Sequence, residues 1–465
     1  MASTSLSGNV GSIENVLYEK RQKIYPREVH GLFAYLRIAS VIILLGLFYG
    51  GPWLQWDGRQ ALLWDLPARK FYVFGLVFWP QDFVYLTFML IIAGLSLFFF
   101  TALAGRLWCG YACPQTVWTE TFLWIERLVE GDRSSQMRLD KAPWSLKKLG
   151  IKSLKHLLWI VFALFTGYTF VGYFTPIHDL TAKLMTFSTG PWETFWVLFY
   201  AFATYGNAGW LREQVCIYMC PYARFQGAMF DKDTLIVSYD ERRGEPRGSR
   251  NKKLDHKAHG LGDCIDCGLC VQVCPTGIDI RKGLQYECIS CSACIDACNF
   301  VMDNMGYDKG LIRYTTQHDL EGEKTRVLRP RVYIYGAVLL ALVVGLSYSI
   351  VIRVPLELDI IRDRNQLYRE TNDGLIENIY TLKIMNMDNR QHQYRLRAEG
   401  INGLELIMDQ PEIIVETGTV ADITARLRAE ESDLKSRSNK VLFYLEAEDN
   451  QNLHIIKEGR FLGPG

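Results

Sequence analysis

At 465 residues the chain is long enough for several structural units, and a formal net charge of +1 excludes the strongly basic surface that binds nucleic acid. A 49% hydrophobic and 13% aromatic composition is unusual for one soluble globule and fits apolar spans joined to polar domains. The twelve cysteines fall in four tight groups between Cys109 and Cys298, which speaks against a secreted disulfide scaffold and for metal-ligand spacing.

The N-terminal residues show no basic region, short apolar core and small-residue cleavage site in succession, so residues 1–31 read as a tail without a cleaved signal peptide. Crossing a bilayer takes about 20 apolar residues as helix, because every backbone polar group must be bonded inside the segment. Five segments qualify: Ile38 to Leu54, Phe83 to Leu103, Leu157 to Ile177, Thr194 to Leu211 and Val332 to Ile352. The run Phe71 to Trp79 is too short to cross, ends in Trp79-Pro80-Gln81-Asp82, and is expected to be interfacial or re-entrant. Lys and Arg accumulate on the cytoplasmic side of short flanks. Residues 1–31 and 104–156 hold four and nine of them, against three in 55–82 and one in 178–193. This bias places the N-terminus and residues 212–331 in the cytoplasm and the C-terminus on the other side of the membrane.

Cys109-Gly-Tyr-Ala-Cys113-Pro114 follows the second span and Cys216-Ile-Tyr-Met-Cys220-Pro221 the fourth. Thiols at i and i+4 share a helix face, and the proline loosens the helix at the second cysteine. The two motifs suggest an internal repeat of two-span units. If the second and fourth helices pack together, Cys109, Cys113, Cys216 and Cys220 could converge on a soft ion such as Cu(I), on a further redox centre, or act as a dithiol relay. Small buried cysteines without a ligand are the plainer alternative.

Asp240 to His259 reads as a polar linker punctuated by Gly and Pro. His256 and His259 are metal candidates there, though a solvated linker explains them as well. Cys264-x2-Cys267-x2-Cys270-x3-Cys274-Pro275 and Cys288-x2-Cys291-x2-Cys294-x3-Cys298 then repeat one pattern. Three cysteines two residues apart wrap one iron-sulfur cubane, while the fourth of each run ligates the other cluster. The expected sets are Cys264, Cys267, Cys270 and Cys298 for one [4Fe-4S] cluster, and Cys288, Cys291, Cys294 and Cys274 for the other. Asn299 stands where a second proline is usual, and the ligands are intact. Paired zinc sites also use four cysteines each, but they leave a longer gap between two short loops.

After Arg353, alternating segments at Ile379 to Ile384, Tyr394 to Leu396, Ile413 to Val415, Val441 to Leu445 and His454 to Ile456 indicate an all-β sandwich without cysteine. Met385, Met387 and His392 near one turn are candidate copper ligands, or ordinary strand and turn residues. The predicted architecture is a multi-domain membrane protein. It has a tail (1–31), a four-span domain (32–231), a linker with a bacterial-type 2[4Fe-4S] ferredoxin insert (232–331), a fifth transmembrane helix (332–353) and a C-terminal β-sandwich (354–465). No G-x-G-x-x-G after a strand and no Walker A pattern occurs, so nothing names the electron donor.

The whole order resembles the FixG/RdxA/CcoG family, accessory proteins for assembly of the cbb-type haem-copper oxidase. Beyond the cysteine motifs it rests on Lys70-Phe71-Tyr72, Trp79-Pro80-Gln81-Asp82 and Arg243-Gly244-Glu245-Pro246-Arg247-Gly248. The resemblance implies a cupric reductase whose clusters reduce Cu(II) to Cu(I) for copper chaperones, with an immunoglobulin-like periplasmic domain. The Cys-x3-Cys-Pro pattern is also similar to membrane polyferredoxins of quinol-oxidising relays, which implies a quinol-linked relay to a partner as the alternative. A third reading is an assembly scaffold with structural clusters.

Overall fold

The computed structural model describes residues 23–252, 255–363, 366–388, 390–409 and 412–464. Most of the predicted N-terminal tail, and with it the signal-peptide expectation, lies outside the described residues. Helix α1 (Leu32–Gly50) is followed by a small antiparallel sheet of Leu62–Asp65, Lys70–Val73 and Leu76–Phe78. Then come α2 (Phe83–Ala104), α3 (Leu107–Tyr111), α4 (Pro114–Glu130), α5 (Arg133–Lys141), α6 (Leu146–Val171), α7 (Ile177–Met185) and α8 (Pro191–Thr204). Two π-helical turns, Tyr205–Leu211 and Val215–Met219, lead into α9 (Pro221–Met229).

Among the described residues, four helices are long and apolar enough to cross a membrane: α1 with its following turn, α2 with its preceding turn, α6, and the Pro330–Val351 helix. The fourth predicted span differs. Its α-helix has 14 residues and continues as seven residues of π-helix, because the chain must change phase before it reaches Cys216. It packs tightly along α6, where a methyl on Gly167 would run into the Val197 carbonyl oxygen. The third predicted span begins earlier than hydropathy marks it, since α6 starts at Leu146 and buries Lys148 and Lys155. Lys155 pairs with Glu126 and Glu130, so its charge is carried by partners rather than by water.

Phe71 to Trp79 is not helical; it supplies two of the three strands in the small sheet. That sheet abuts the C-terminal domain. Lys70 Nζ donates to the Gly418 carbonyl, Arg353 donates to the Val77 carbonyl, and Val77, Trp79, Met385 and Met387 form one buried cluster. Met387 sulfur accepts from Arg353 and Met385 sulfur from Gln81, while His392 is bonded to Asp388 and Asp449. Met385 and Met387 therefore pack in the seam between units, and His392 is bonded within the sandwich itself, so all three have protein partners as strand and turn residues.

The cysteine-rich insert contains α10 (Glu241–Gly244), α11 (Leu269–Gln272), α12 (Ala293–Met305) and α13 (Gln317–Glu321), braced by paired strands Ile236–Tyr239 and Ile312–Thr315. It grips the start of the first span. The Asp296 carboxylate of α12 accepts from the Phe33 and Ala34 amides, so it caps α1, whose own preceding residue, Gly31, supplies no side-chain cap. Phe33 packs edge-on against Tyr314. Losing a cap costs about 1 kcal/mol. Asp296→Ala is thus expected to lower the Tm of the detergent-solubilised protein, with Asp296→Asn recovering most of the loss because an acceptor oxygen is kept; equal Tm values for all three would show the cap to be inert.

Helix α14 (Pro330–Val351) leads from the insert to the C-terminal domain. That domain is two antiparallel sheets. One orders Glu405–Met408, Val420–Ala429, Ile376–Asn386 and Leu356–Arg362, and the other Ile413–Val415, His392–Glu399, Ser438–Ala447 and His454–Leu462. Tyr380, Phe443, Leu382, Leu427, Leu445 and Phe461 fill the space between the sheets, which holds the sandwich without a disulfide.

Candidate iron-sulfur and thiol site

The two ferredoxin runs wrap two neighbouring cavities. One is lined by Cys264, Cys267, Cys270 and Cys298, the other by Cys274, Cys288, Cys291 and Cys294, and Cys270 borders both. The fourth cysteine of each run therefore lies across from its own loop. In the first loop Asp266 and Gly268 have positive φ, and in the second Ser290 and Ser292 do. These are matching positions on either side of the middle cysteine. A left-handed non-glycine residue costs on the order of 1–3 kcal/mol and persists where surroundings hold it, typically at functional sites. Here the reversals turn three side chains of each loop toward one point. Apart from Arg281 and Tyr239, the first cavity is closed by apolar side chains such as Ile265, Val301, Met302 and Leu311. Four thiols in an apolar shell fit a [4Fe-4S] cubane by donor set.

His256 Nε2 is 2.8 Å from Asp263 Oδ1 and its ring lies on Tyr307, while His259 Nδ1 contacts the Asp255 carbonyl. Both fix the linker. Among the described residues, no three His, Cys, Asp or Glu side chains converge as a single-ion metal site.

The two Cys-x3-Cys-Pro motifs are structural as well as sequence repeats. Four residues before the first cysteine, Gly105 has φ 54° and ψ −119°, and Arg212 has φ 45° and ψ −112°. Each second cysteine caps a helix that starts with its proline, Cys113 for α4 and Cys220 for α9. The repeats also clasp each other. Gln115 at the start of α4 donates to the Asn207 and Arg212 carbonyls ahead of the second motif, while Arg106 ahead of the first donates to the Ala223 carbonyl in α9. Cys109 Sγ is 3.3 Å from Gln226 Oε1. Arg212, the strained member, is held by Glu126 Oε2 at 2.7 Å and the Gly209 carbonyl at 2.9 Å.

All twelve cysteines are free thiols. Burial pushes Cys109 and Cys216 up to about 12; charge on Cys113 raises both, charge on Cys216 also raises Cys109 and charge on Cys220 also raises Cys216, while Arg106 opposes. Burial likewise raises Cys113, with charge on Cys220 adding a smaller push. The four thiols are thus close enough to feel one another.

This group touches the second ferredoxin loop directly. A methyl on Gly110 would stand 2.8 Å from the Ile289 carbonyl oxygen, 2.9 Å from that of Ser290 and 3.0 Å from Cys291 Cα. Tyr314 of the Ile312–Thr315 strand donates to the Ser290 carbonyl and Arg37 of α1 to that of Cys291, holding the loop from two sides. A cavity of about 170 Å³ opens beside it, bordered by both Cys216 and Cys291 and by Glu28, His30, Glu120 and Glu213. Arg106, Gly110, Gln115 and Gln226 were not singled out by sequence. Aligning the two repeats outward from their cysteines would have marked Gly105 and Arg212 as equivalent, but the residues that clasp have no counterpart in the pattern.

Three family models match: a 4Fe-4S dicluster domain over residues 211–317, a 4Fe-4S binding domain over 85–131, and the immunoglobulin-like fold at the C-terminus of FixG over 346–464. The nitrogen fixation protein FixG of Rhizobium meliloti is 39% identical over 430 residues, covering 84% of this chain and 82% of its own. The chain belongs to the FixG/RdxA family. Protein RdxA of Cereibacter sphaeroides is 41% identical over 83% of this chain and 84% of its own, and RdxB of the same organism 40% identical over 88% and 89%. Like its FixG relatives the chain is an iron-sulfur redox protein, with apolar helices suited to a membrane and an immunoglobulin-like C-terminal domain.

Proposed function

We propose that this chain is a one-electron reductase of the bacterial inner membrane that converts Cu(II) to Cu(I) for assembly of a cbb-type cytochrome c oxidase. The observation that carries the reading is continuity. Two four-cysteine cavities adjoin at Cys270, and the second is bounded by the loop on which Gly110, between Cys109 and Cys113, is packed. Cys264, Cys267, Cys270 and Cys298 would hold one cluster and Cys274, Cys288, Cys291 and Cys294 the other. Bound there, each [4Fe-4S] cluster supplies a one-electron couple, which matches Cu(II)/Cu(I) without a two-electron gate. Around them the chain's own residues orient and exclude: Arg37 and Tyr314 hold the second loop, and Gln226 aims Cys109.

Copper enters as substrate. The cavity beside Cys216 is bordered by Glu28, His30, Glu120 and Glu213, and oxygen and imidazole donors are of the kind Cu(II) accepts. In this reading five spans leave the insert cytoplasmic, by the Lys and Arg bias of the flanks. The β-sandwich is periplasmic and docks oxidase assembly factors, and Cu(I) passes to a copper chaperone.

Protein with chemically reduced clusters should be reoxidised rapidly by Cu(II), and should lose most of that rate when Cys109, Cys113, Cys216 and Cys220 are all serine. Equal rates would sink the assignment of these thiols to the exit of the path. Cluster reduction by quinol with indifference to copper would replace this reading by a quinol-linked relay. Loss of oxidase assembly only when the protein itself fails to accumulate would favour a scaffold.

A further inference from the structure

We propose that Cys109, Cys113, Cys216 and Cys220 together hold a third [4Fe-4S] cluster, shared between the two Cys-x3-Cys-Pro repeats. The inference deepens the proposed function by giving its membrane-edge thiols a resident occupant, and it rests on that reading only for what the cluster is for.

Three observations carry it. The first is the reciprocal clasp: each motif is fixed by the segment that surrounds the other, with matching backbone reversals at Gly105 and Arg212. Such a two-fold arrangement presents two thiols from each side of a common centre. Neither motif alone has enough ligands for a cubane, and the pair has the full four.

The second is spacing. A single Cu(I) or Zn(II) ion draws its ligands to about 2.3 Å, which brings the sulfurs together. The described residues contain no such convergence, either at these four cysteines or at the eight of the ferredoxin insert. A cubane, whose thiolates bind separate irons at its corners, needs the wider grouping. The four thiols are unbridged, as are those of the ferredoxin loops.

The third is Arg106. It is 4% exposed, and its Nε has no hydrogen-bond partner among the described residues. It lies three residues ahead of Cys109 and donates to the Ala223 carbonyl just past Cys220, so its guanidinium joins the two repeats. A buried, incompletely bonded guanidinium is costly unless an anion faces it. Four thiolates around a 2+ cubane core carry a net double negative charge, and such a centre is what Arg106 is placed to meet.

The test is the metal content of the full chain purified anaerobically in detergent, with no copper added. Wild-type protein should contain roughly twelve iron and twelve acid-labile sulfide per chain, and the Cys109→Ser, Cys113→Ser, Cys216→Ser, Cys220→Ser quadruple variant roughly eight of each, with the spectra of the two ferredoxin clusters intact. Because the variant could fail to accumulate, the wild-type count and the number of reduced-cluster EPR signals stand by themselves. About eight irons in wild-type protein after reconstitution with iron and sulfide, or about eight with one copper bound by these thiols, would overturn the third cluster. Copper reduction at bare thiols would survive that result, so the two failures are distinguishable.

Discussion

Gly110→Ala is expected to slow electron delivery from the ferredoxin insert to Cu(II) while leaving the iron content of the insert unchanged. The added methyl would meet two backbone carbonyl oxygens and a backbone Cα, all within 3.0 Å, and none of these can swing aside as a flexible side chain would. Overpacking of this kind costs about 1–3 kcal/mol, and the relief available is for α3 to separate from the loop of Ile289 to Cys291. Electron transfer falls steeply with such separation, whereas the cysteines that line the two ferredoxin cavities are not displaced. Stopped-flow reoxidation of pre-reduced protein by Cu(II), alongside iron analysis and a melting curve, measures all three quantities. Unchanged kinetics together with an unchanged Tm would mean that the contact at Gly110 is not on the path.

The second large effect concerns the crossing of the ligand sets. Cys274→Ala should remove the cluster bound by the second run, although Cys274 belongs to the first, so about four irons are lost. Adding Cys288→Ala should then remove nothing further, because both cysteines line one cavity. Adding Cys264→Ala to Cys274→Ala should double the loss to about eight irons, since Cys264 lines the other cavity. Local ligation within each run reverses these two double variants. Iron per chain and the EPR signals of the reduced protein read the result, and the comparison of doubles controls for general instability because both carry two substitutions.

The fold was legible where its cause is local. An apolar helix advertises itself over about 20 residues, and four of the five predicted segments are helices long and apolar enough to cross. The fourth was legible as apolar chain, but not as a helix that switches to π geometry at Tyr205. That switch is set by Glu126, Arg212 and Gln115 from α4 and the following turn, not by hydropathy. In the C-terminal domain, alternation marked the cores of strands such as Val441 to Leu445, which extends in the structure to Ser438–Ala447. Val420–Ala429 was passed over despite its alternating burial, because the Arg and Thr on its outer face weakened the signal. Phe71 to Trp79 was legible as a run too short to cross, but not as strands: cross-strand pairs with Leu62 to Asp65 shape it, and Val77 and Trp79 pack on Met385 and Met387.

The same division runs through the site. Cysteine spacing by itself determined the two dense runs and the two Cys-x3-Cys-Pro motifs, because a loop that wraps a cubane, or a helix turn that pairs two thiols, is a matter of a few residues. Only the tertiary structure decided that the first motif lies on the second ferredoxin loop, that Asp296 caps a helix begun more than two hundred residues earlier, and that Arg106 is buried with its guanidinium on the Ala223 carbonyl of α9. Each of those contacts joins residues far apart in the chain through packing and hydrogen bonds. Nothing in the spacing of neighbouring residues encodes them, so they exist only once the helices have come together.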